Sequence, residues 1–257
     1  MKVHIIPSSV GSSSRHQILA TYVINDSVAI DAGVLGLLSP LEAQRRVRHV
    51  FLSHSHLDHL ATLPIFIDNV YVHGPDCPTV WGSPQVLETL QSDLFNDRIW
   101  PDMIRLSGEE SPFVKLESLS PELPVEVEGL QITPIELKHV VPVFGFLVEE
   151  LSTGAAVMFV SDTAPSERVW EVANLTPGLK GIFLESSFPN SMRWLADKAA
   201  HLTPELFRSE LSKLQRPVPV YVIHVKLAFE AKILEELQAL KLTNLQIAEP
   251  GTTLEFV

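Results

Sequence analysis

Residues 51–59 read Phe-Leu-Ser-His-Ser-His-Leu-Asp-His, and they decide the fold and chemistry expected of this chain. The apolar residues just before Ser53 predict the end of a strand. His54 and His56 alternate along an extended backbone, so both imidazoles can reach one metal ion. Asp58 and His59 follow as the chain turns and can serve a second ion. A buried structural cluster would leave several ring nitrogens unpaired, so a metal centre is the better interpretation.

Composition narrows the class of protein. The chain has 257 residues, 46% of them hydrophobic and 19% charged, which is typical of a globular protein. We expect a single domain over residues 1–257. The net charge of −12 argues against broad binding to large nucleic acids. The chain has one cysteine, Cys77, its first residues do not resemble a signal peptide, and no apolar run is long enough for a bilayer. We therefore expect a cytoplasmic protein with no membrane contact.

A recurring pattern in the second half places polar residues directly after apolar runs. The runs are residues 130–137, 156–160, 182–184 and 218–223, followed by His139, Asp162, Glu185 and His224 in turn. A helix is predicted after each of the last three runs, over residues 165–173, 203–214 and 229–240. Because open sheets build their sites at the carboxyl ends of strands, this pattern predicts an α/β layered protein with one site.

The first half predicts further elements around the cluster. Strands are expected over residues 17–24 and 28–31 around a turn, with Gly33 allowing a tight exit from the sheet. Helices are expected after Pro40, from residue 60 to 70, and after the capping pair Ser83-Pro84. Residues 107–129 are predicted to form hairpin and loop structure.

Seven side chains suit two metal ions if one carboxylate bridges them. Our assignment puts His54, His56 and His139 on the first ion and Asp58, His59 and His224 on the second. Asp162 is the predicted bridge. Two cations roughly 3.5–4 Å apart can activate water and stabilise both the attacking and the leaving oxygen of an in-line displacement.

The cluster at residues 54–59, followed by His139, Asp162 and His224, resembles the metallo-β-lactamase superfamily. The resemblance implies a four-layer αββα sandwich with two mixed sheets and a dinuclear site at the edge between them. It also shows a departure, because Asp162 stands where true β-lactamases use a cysteine.

A narrower resemblance is to the class II cyclic-nucleotide phosphodiesterases. It is carried by residues 53–59, 161–165, 185–190, 200–204 and 223–226, of which Phe188-Pro189-Asn190 and His201-Leu202-Thr203-Pro204 are the most specific. The sequence departs from that family's pattern at Ala200, where the family usually has glycine, and at Leu227, where it generally has proline. Residues 60–64 also lack the glycine that is common in that family.

The resemblance implies hydrolysis of 3′,5′-cyclic AMP or GMP, a small-molecule substrate, to the nucleoside 5′-monophosphate. It implies two divalent ions, zinc first, with manganese or iron as alternatives, and a possible homodimer. Asp58, Asp162 and His201 are the expected catalytic residues. His201 precedes a capped helix and could contact the phosphate or supply a proton to the leaving oxygen.

Three alternatives stay open. The first is a broader phosphodiesterase or an RNA 3′-processing nuclease, which would be expected to carry a basic, Gly-rich arm. The second is a thioester or lactam hydrolase, which would not need His201, and the third is a metal-binding scaffold without catalysis.

Several side chains near the site permit two interpretations. Asp31 could orient a ligand imidazole or cap its own turn, and Glu185 could support the site or pair with backbone. Phe188 could contact a base or pack in the core, and Asn190 could cap the next helix. The polar loop at residues 8–14 and His16 could border a pocket.

Overall fold

Two sheets face each other in this protein, one built mainly from the first half of the chain and one from the second. The computed structural model describes residues 1–8 and 17–257. Within these ranges each sheet has seven strands. The first sheet, in spatial order, is β14 (Thr253–Glu255), β1 (Lys2–Ile5), β2 (Tyr22–Ile24), β3 (Val28–Ile30), β4 (His49–Phe51), β5 (Thr79–Gly82) and β6 (Lys115–Ser118).

The second sheet repeats the mixed arrangement of the first. Its order is β13 (Leu245–Ile247), β12 (Val220–Ile223), β11 (Leu179–Glu185), β10 (Ala156–Val160), β9 (Phe144–Glu150), β8 (Leu130–Glu136) and β7 (Val125–Val127). The strands from β7 to β10 pair antiparallel, and those from β10 to β13 pair parallel. In the first sheet the change to parallel pairing comes at β3.

Helices cover the outer face of each sheet. Those on the first half are α1 (Leu41–Arg46), α2 (Leu57–Leu60), α3 (Leu63–Val70), α4 (Pro84–Thr89) and α5 (Met103–Leu106). Those on the second half are α6 (Arg168–Leu175), α7 (Arg193–Ala199), α8 (Pro204–Leu211) and α9 (Glu230–Ala239). In the described ranges, no helix combines the length and apolar character needed to cross a membrane.

Strand β10 shows why the sequence forms layers. All five of its residues are buried. Val157 and Phe159 belong to the hydrophobic cluster between the sheets, whereas Met158 and Val160 belong to the cluster between the second sheet and its helices. Side chains alternate across a strand, so a continuous apolar run supplies two cores at once. A third cluster lies between the first sheet and its helices, which confirms the predicted four-layer αββα sandwich.

Three expectations about local structure need correction. Strands β6 and β7 do not pair as a hairpin, because β6 pairs with β5 in one sheet and β7 with β8 in the other. The segment around them therefore joins the two sheets. Strand β2 begins at Tyr22 rather than residue 17, since the backbone N–H of Ala20 donates to the carbonyl of Asp58 instead. The helix expected from residue 60 is divided into α2 and α3.

A buried carboxylate ties α8 to the segment that begins α6. Glu210 accepts hydrogen bonds from the indole N–H of Trp170 at 2.7 Å and the backbone N–H of Ser166 at 3.0 Å, and it pairs with Lys213 at 2.6 Å. Glu210→Ala leaves these donors unsatisfied, and we expect it to lower the free energy of unfolding by about 3 kcal/mol. Urea denaturation measures this loss. The exposed Ser209→Ala on the same helix is the control, and a loss below about 1 kcal/mol for Glu210→Ala would contradict the assignment.

Candidate metal centre

The candidate site lies where strands of both sheets end. The cluster at residues 54–59 follows β4 of the first sheet. His139 follows β8, Asp162 follows β10 and His224 follows β12, all in the second sheet. The carboxyl ends of these strands thus bring distant parts of the chain to one edge, as expected for open sheets.

Close backbone contact holds the cluster in place. A Cβ atom at Gly33 would lie 2.1 Å from the carbonyl oxygen of Asp58 and 2.8 Å from the backbone nitrogen of Ala20. No other residue fits at position 33 without displacing the loop. Gly33 is therefore required for this approach, rather than for the tight exit from the sheet that the sequence suggested.

The seven predicted ligands form two adjacent groups. Potential ligand atoms within each group lie within 4.8 Å of one another. The first group is His54, His56, His139 and Asp162, and the second is Asp58, His59 and His224. A third, overlapping group joins Asp162 and His224 to His201. The grouping matches our assignment of ligands to two ions, and that assignment itself stays a prediction.

Asp162 is a member of the first group that also faces the second. Its Oδ2 is 3.7 Å from His54 Nε2, 3.6 Å from His59 Nε2 and 3.4 Å from His224 Nε2. The carboxylate is buried, so its charge is poorly screened by solvent. One carboxylate oxygen therefore faces imidazoles from both groups, as a bridging ligand would.

Two ring nitrogens support the suitability of the site for metal ions. His54 Nε2 and His59 Nε2 are buried and have no hydrogen-bond partner. Buried polar atoms without a partner are costly, and imidazole nitrogen is a good ligand for borderline divalent cations. The imidazole and carboxylate donors thus fit the metal ions that the sequence led us to expect.

Asp31 and Ser53 orient two of the imidazoles. Asp31 Oδ2 lies 2.7 Å from His59 Nδ1, and the hydroxyl of Ser53 lies 2.9 Å from His54 Nδ1. Asp31 also accepts hydrogen bonds from the backbone N–H and the hydroxyl of Ser53. Of the two interpretations of Asp31, the structure therefore supports the one in which it orients an imidazole. Ser53 belongs to the motif at residues 53–59, but the spacing of that motif assigned it no role.

The remaining imidazoles are held through contacts that are distant in sequence. His139 Nδ1 donates to the carbonyl of Ala200 at 3.0 Å, and His224 Nδ1 lies 2.8 Å from the hydroxyl of Ser187. His56 differs, because its Nδ1 faces the first group, 3.2 Å from His139 Nε2. His56 would therefore bind a metal through Nδ1, and the others through Nε2.

The charges of the site shift the pKa values of its groups in opposite directions. Burial and the neighbouring His59 hold the pKa of His54 well below its usual value. Burial also disfavours protonation of His59, but Asp31 and Asp162 outweigh it and raise the pKa of His59 well above the usual value. A cation that binds His59 must therefore displace a proton from it.

His201 lies beside the metal-ligand groups in a well-defined environment. It is buried, and its Nδ1 is 2.8 Å from Glu185 Oε1. Burial lowers the pKa of His201, but the carboxylate of Glu185 outweighs this effect and raises it. The ring of His201 is 4.9 Å from that of His139 and 5.4 Å from that of His224. His201 is thus placed to contact a molecule bound at the metal centre.

Glu185 both supports the site and pairs with backbone groups. Besides His201, it accepts hydrogen bonds from the backbone N–H groups of Thr163 and Leu202 and from the hydroxyl of Ser187. The single carboxylate therefore joins the loops that carry Asp162 and His201, and it reaches His224 through the hydroxyl of Ser187.

Ala200 turns the chain into this position. Its φ of 55° is in the left-handed region, where α7 ends. Glycine adopts this conformation at low cost, which gives a physical reason for the glycine of the family pattern. The alanine keeps the turn, and its carbonyl accepts the hydrogen bond from His139.

Other residues of the predicted pocket have structural roles. Phe188 is 8% exposed, and its ring lies 5.6 Å from that of His201 and 6.1 Å from that of Phe229, so it packs rather than presents a face to a base. Asn190 does not cap the helix immediately after it; its Oδ1 accepts a hydrogen bond from the backbone N–H of Glu205 in the first turn of α8, whose N-cap is Thr203. The polar loop falls largely within residues 9–16, as does His16, and these lie outside the described residues.

Sequence and structure comparisons agree on the family. A family model for class-II cAMP phosphodiesterases matches residues 37–247. A 3′,5′-cyclic-nucleotide phosphodiesterase 1 from Saccharomyces cerevisiae is 29% identical over 199 residues, which is 67% of this chain and 52% of the yeast protein. The chain thus matches about half the length of that relative.

Solved structures show the same fold. The crystal structure of unliganded yeast PDE1 superposes with a TM-score of 0.80 at 21% identity, covering 100% of this chain and 99% of that one. The metallo-β-lactamase fold protein YhfI from Bacillus subtilis has a TM-score of 0.72 at 16% identity, with 98% of each chain covered. The fold is that of the metallo-β-lactamases, and the protein belongs to the class-II cAMP phosphodiesterase family.

Proposed function

We propose that this protein hydrolyses 3′,5′-cyclic nucleotides to nucleoside 5′-monophosphates with two divalent cations, of which zinc is the first candidate. The observation that carries the proposal is the convergence of two groups of ligand side chains on Asp162, with the buried His201–Glu185 pair beside them. Membership of the class-II family supports the same reaction.

His54, His56 and His139 would hold one ion, Asp58, His59 and His224 the other, with Asp162 between them. Ions held there would supply activated water and neutralise the charge that builds on the phosphoryl oxygens. In the proposed reaction, oxygen from water attacks phosphorus and the bond from phosphorus to the 3′ oxygen breaks.

The protein's own contribution is positioning and proton transfer. The hydrogen bond from His201 Nδ1 to Glu185 leaves His201 Nε2 free to face the substrate, because each ring has only two nitrogens. Glu185 also stabilises the protonated imidazole. His201 Nε2 would therefore donate a proton to the departing 3′ oxygen or a hydrogen bond to the phosphate.

The test is incubation of the protein, loaded with zinc or manganese, with cyclic AMP and cyclic GMP, followed by chromatography of the products. A 5′-monophosphate that disappears on chelation supports the proposal, and a 3′-monophosphate shows that the other P–O bond is cleaved. Cleavage of bis(4-nitrophenyl) phosphate without turnover of either cyclic nucleotide would favour the broader phosphodiesterase.

Metal removal should separate activity from folding. We expect about two metal ions per chain in the loaded protein, and loss of hydrolysis when a chelator removes them. The folded state should persist, because three hydrophobic clusters lie in the described part of the chain. Elemental analysis, activity and circular dichroism on the same sample test this. Unfolding in parallel with metal loss would show that the ions hold the fold together.

A further inference from the structure

A surface cleft opens directly beside the candidate metal centre. It has a volume of about 360 Å³, within the range of small-molecule sites, and His224 forms part of its lining. His224 also belongs to the second ligand group, so the cleft and the metal centre adjoin each other at this side chain. A substrate held at the metal centre would reach the cleft past His224.

One wall of the cleft is aliphatic and partly open to solvent. It is formed by Leu227, by Leu234 of α9 and by Ile247 of β13. Leu227 is 49% exposed and Ile247 is 41% exposed, so both offer apolar surface that a bound molecule could cover. Flat, weakly polar ligands gain most from such a wall. Leu227 is also one of the positions at which this sequence departs from the family pattern.

The charges of the cleft determine which part of a nucleotide it can take. Glu230 and Glu249 line it, and none of its described lining residues is lysine or arginine. An acidic lining repels phosphate and accepts hydrogen bonds from the N–H groups of a base. The nearby cation, Lys226, lies on the metal side instead, with its Nζ 3.9 Å from Asp58 Oδ2.

We propose that this cleft binds the nucleobase of the cyclic nucleotide, with its cyclic phosphate at the metal centre near Lys226. Leu227 and Ile247 are the residues that determine selectivity for a substrate that carries a base. The inference rests on the proposed function, because it places the two halves of that substrate.

The experiment compares wild-type protein with Leu227→Ala and Ile247→Ala. For each, KM is measured for cyclic AMP, cyclic GMP and the base-free bis(4-nitrophenyl) phosphate. Calorimetry with adenosine and guanosine reports binding without catalysis. Leu175→Ala is the control, since Leu175 is 77% exposed at the end of α6 and does not line the cleft.

Each cleft variant should raise KM for the cyclic nucleotides about tenfold more than KM for the base-free substrate, and should weaken nucleoside binding to a similar extent. Cyclic-nucleotide turnover with an unchanged KM in both variants would overturn the base site alone. Wild-type protein that binds nucleosides in the cleft but turns over neither cyclic nucleotide would overturn the proposed function and retain the base site.

Discussion

Replacing Asp162 with alanine is expected to lower the bound metal from about two ions per chain to one or none, and to abolish hydrolysis at the same time. The reason is the position of its carboxylate, whose Oδ2 lies between 3.4 and 3.7 Å from imidazoles of both groups. The Asp162 carboxylate faces the imidazoles of His54, His59 and His224, so its loss removes a ligand from both proposed ions. Elemental analysis and product formation must be measured on the same preparation.

Two further variants make the Asp162 result specific. Asp162→Asn keeps the shape and removes the charge, so it should retain more metal than Asp162→Ala but much less activity than the wild type. Ser161→Ala is the control for local disturbance, because the Ser161 hydroxyl is buried next to Asp162 without a hydrogen-bond partner. Full activity of Asp162→Ala with one ion or none would contradict the bridging assignment.

Replacing His201 with alanine is expected to reduce kcat by about 10²- to 10⁴-fold while the metal content stays at the wild-type level. Its Nδ1 is already bonded to Glu185, and it lies outside both ligand groups in our assignment. The effect should therefore fall on the chemical step. Loss of metal together with activity would instead make His201 a ligand, consistent with its proximity to Asp162 and His224.

Glu185→Gln tests how His201 works. The amide can still accept a hydrogen bond from His201 Nδ1, but the negative charge that raises the pKa of His201 is lost. Since the proposed proton donor must be protonated, activity that depends on it falls as pH rises through this pKa. The basic limb of the kcat profile should accordingly move to lower pH in Glu185→Gln. An unchanged profile in a variant with normal metal content would exclude His201 as the proton donor.

Local sequence was sufficient to predict most of the strands in the second half. Residues 156–160 form β10 as expected, because an unbroken apolar run can be buried on both faces of a central strand. The boundaries were less predictable. The composition of residues 17–21 suits a strand, yet the backbone N–H groups of Ile18 and Leu19 donate to the hydroxyl of Ser8, and that of Ala20 donates to the carbonyl of Asp58.

What the sequence by itself determined is which side chains make up the candidate site. The spacing of His54, His56, Asp58 and His59, and the position of other histidines and Asp162 after apolar runs, are local features that follow from strand geometry. The tertiary structure decided which atoms of these residues are available. Asp31 orients His59 from 28 residues away, and Ala200 orients His139 from 61 residues away. Such contacts depend on how whole sheets and helices pack, which no local pattern of residues specifies.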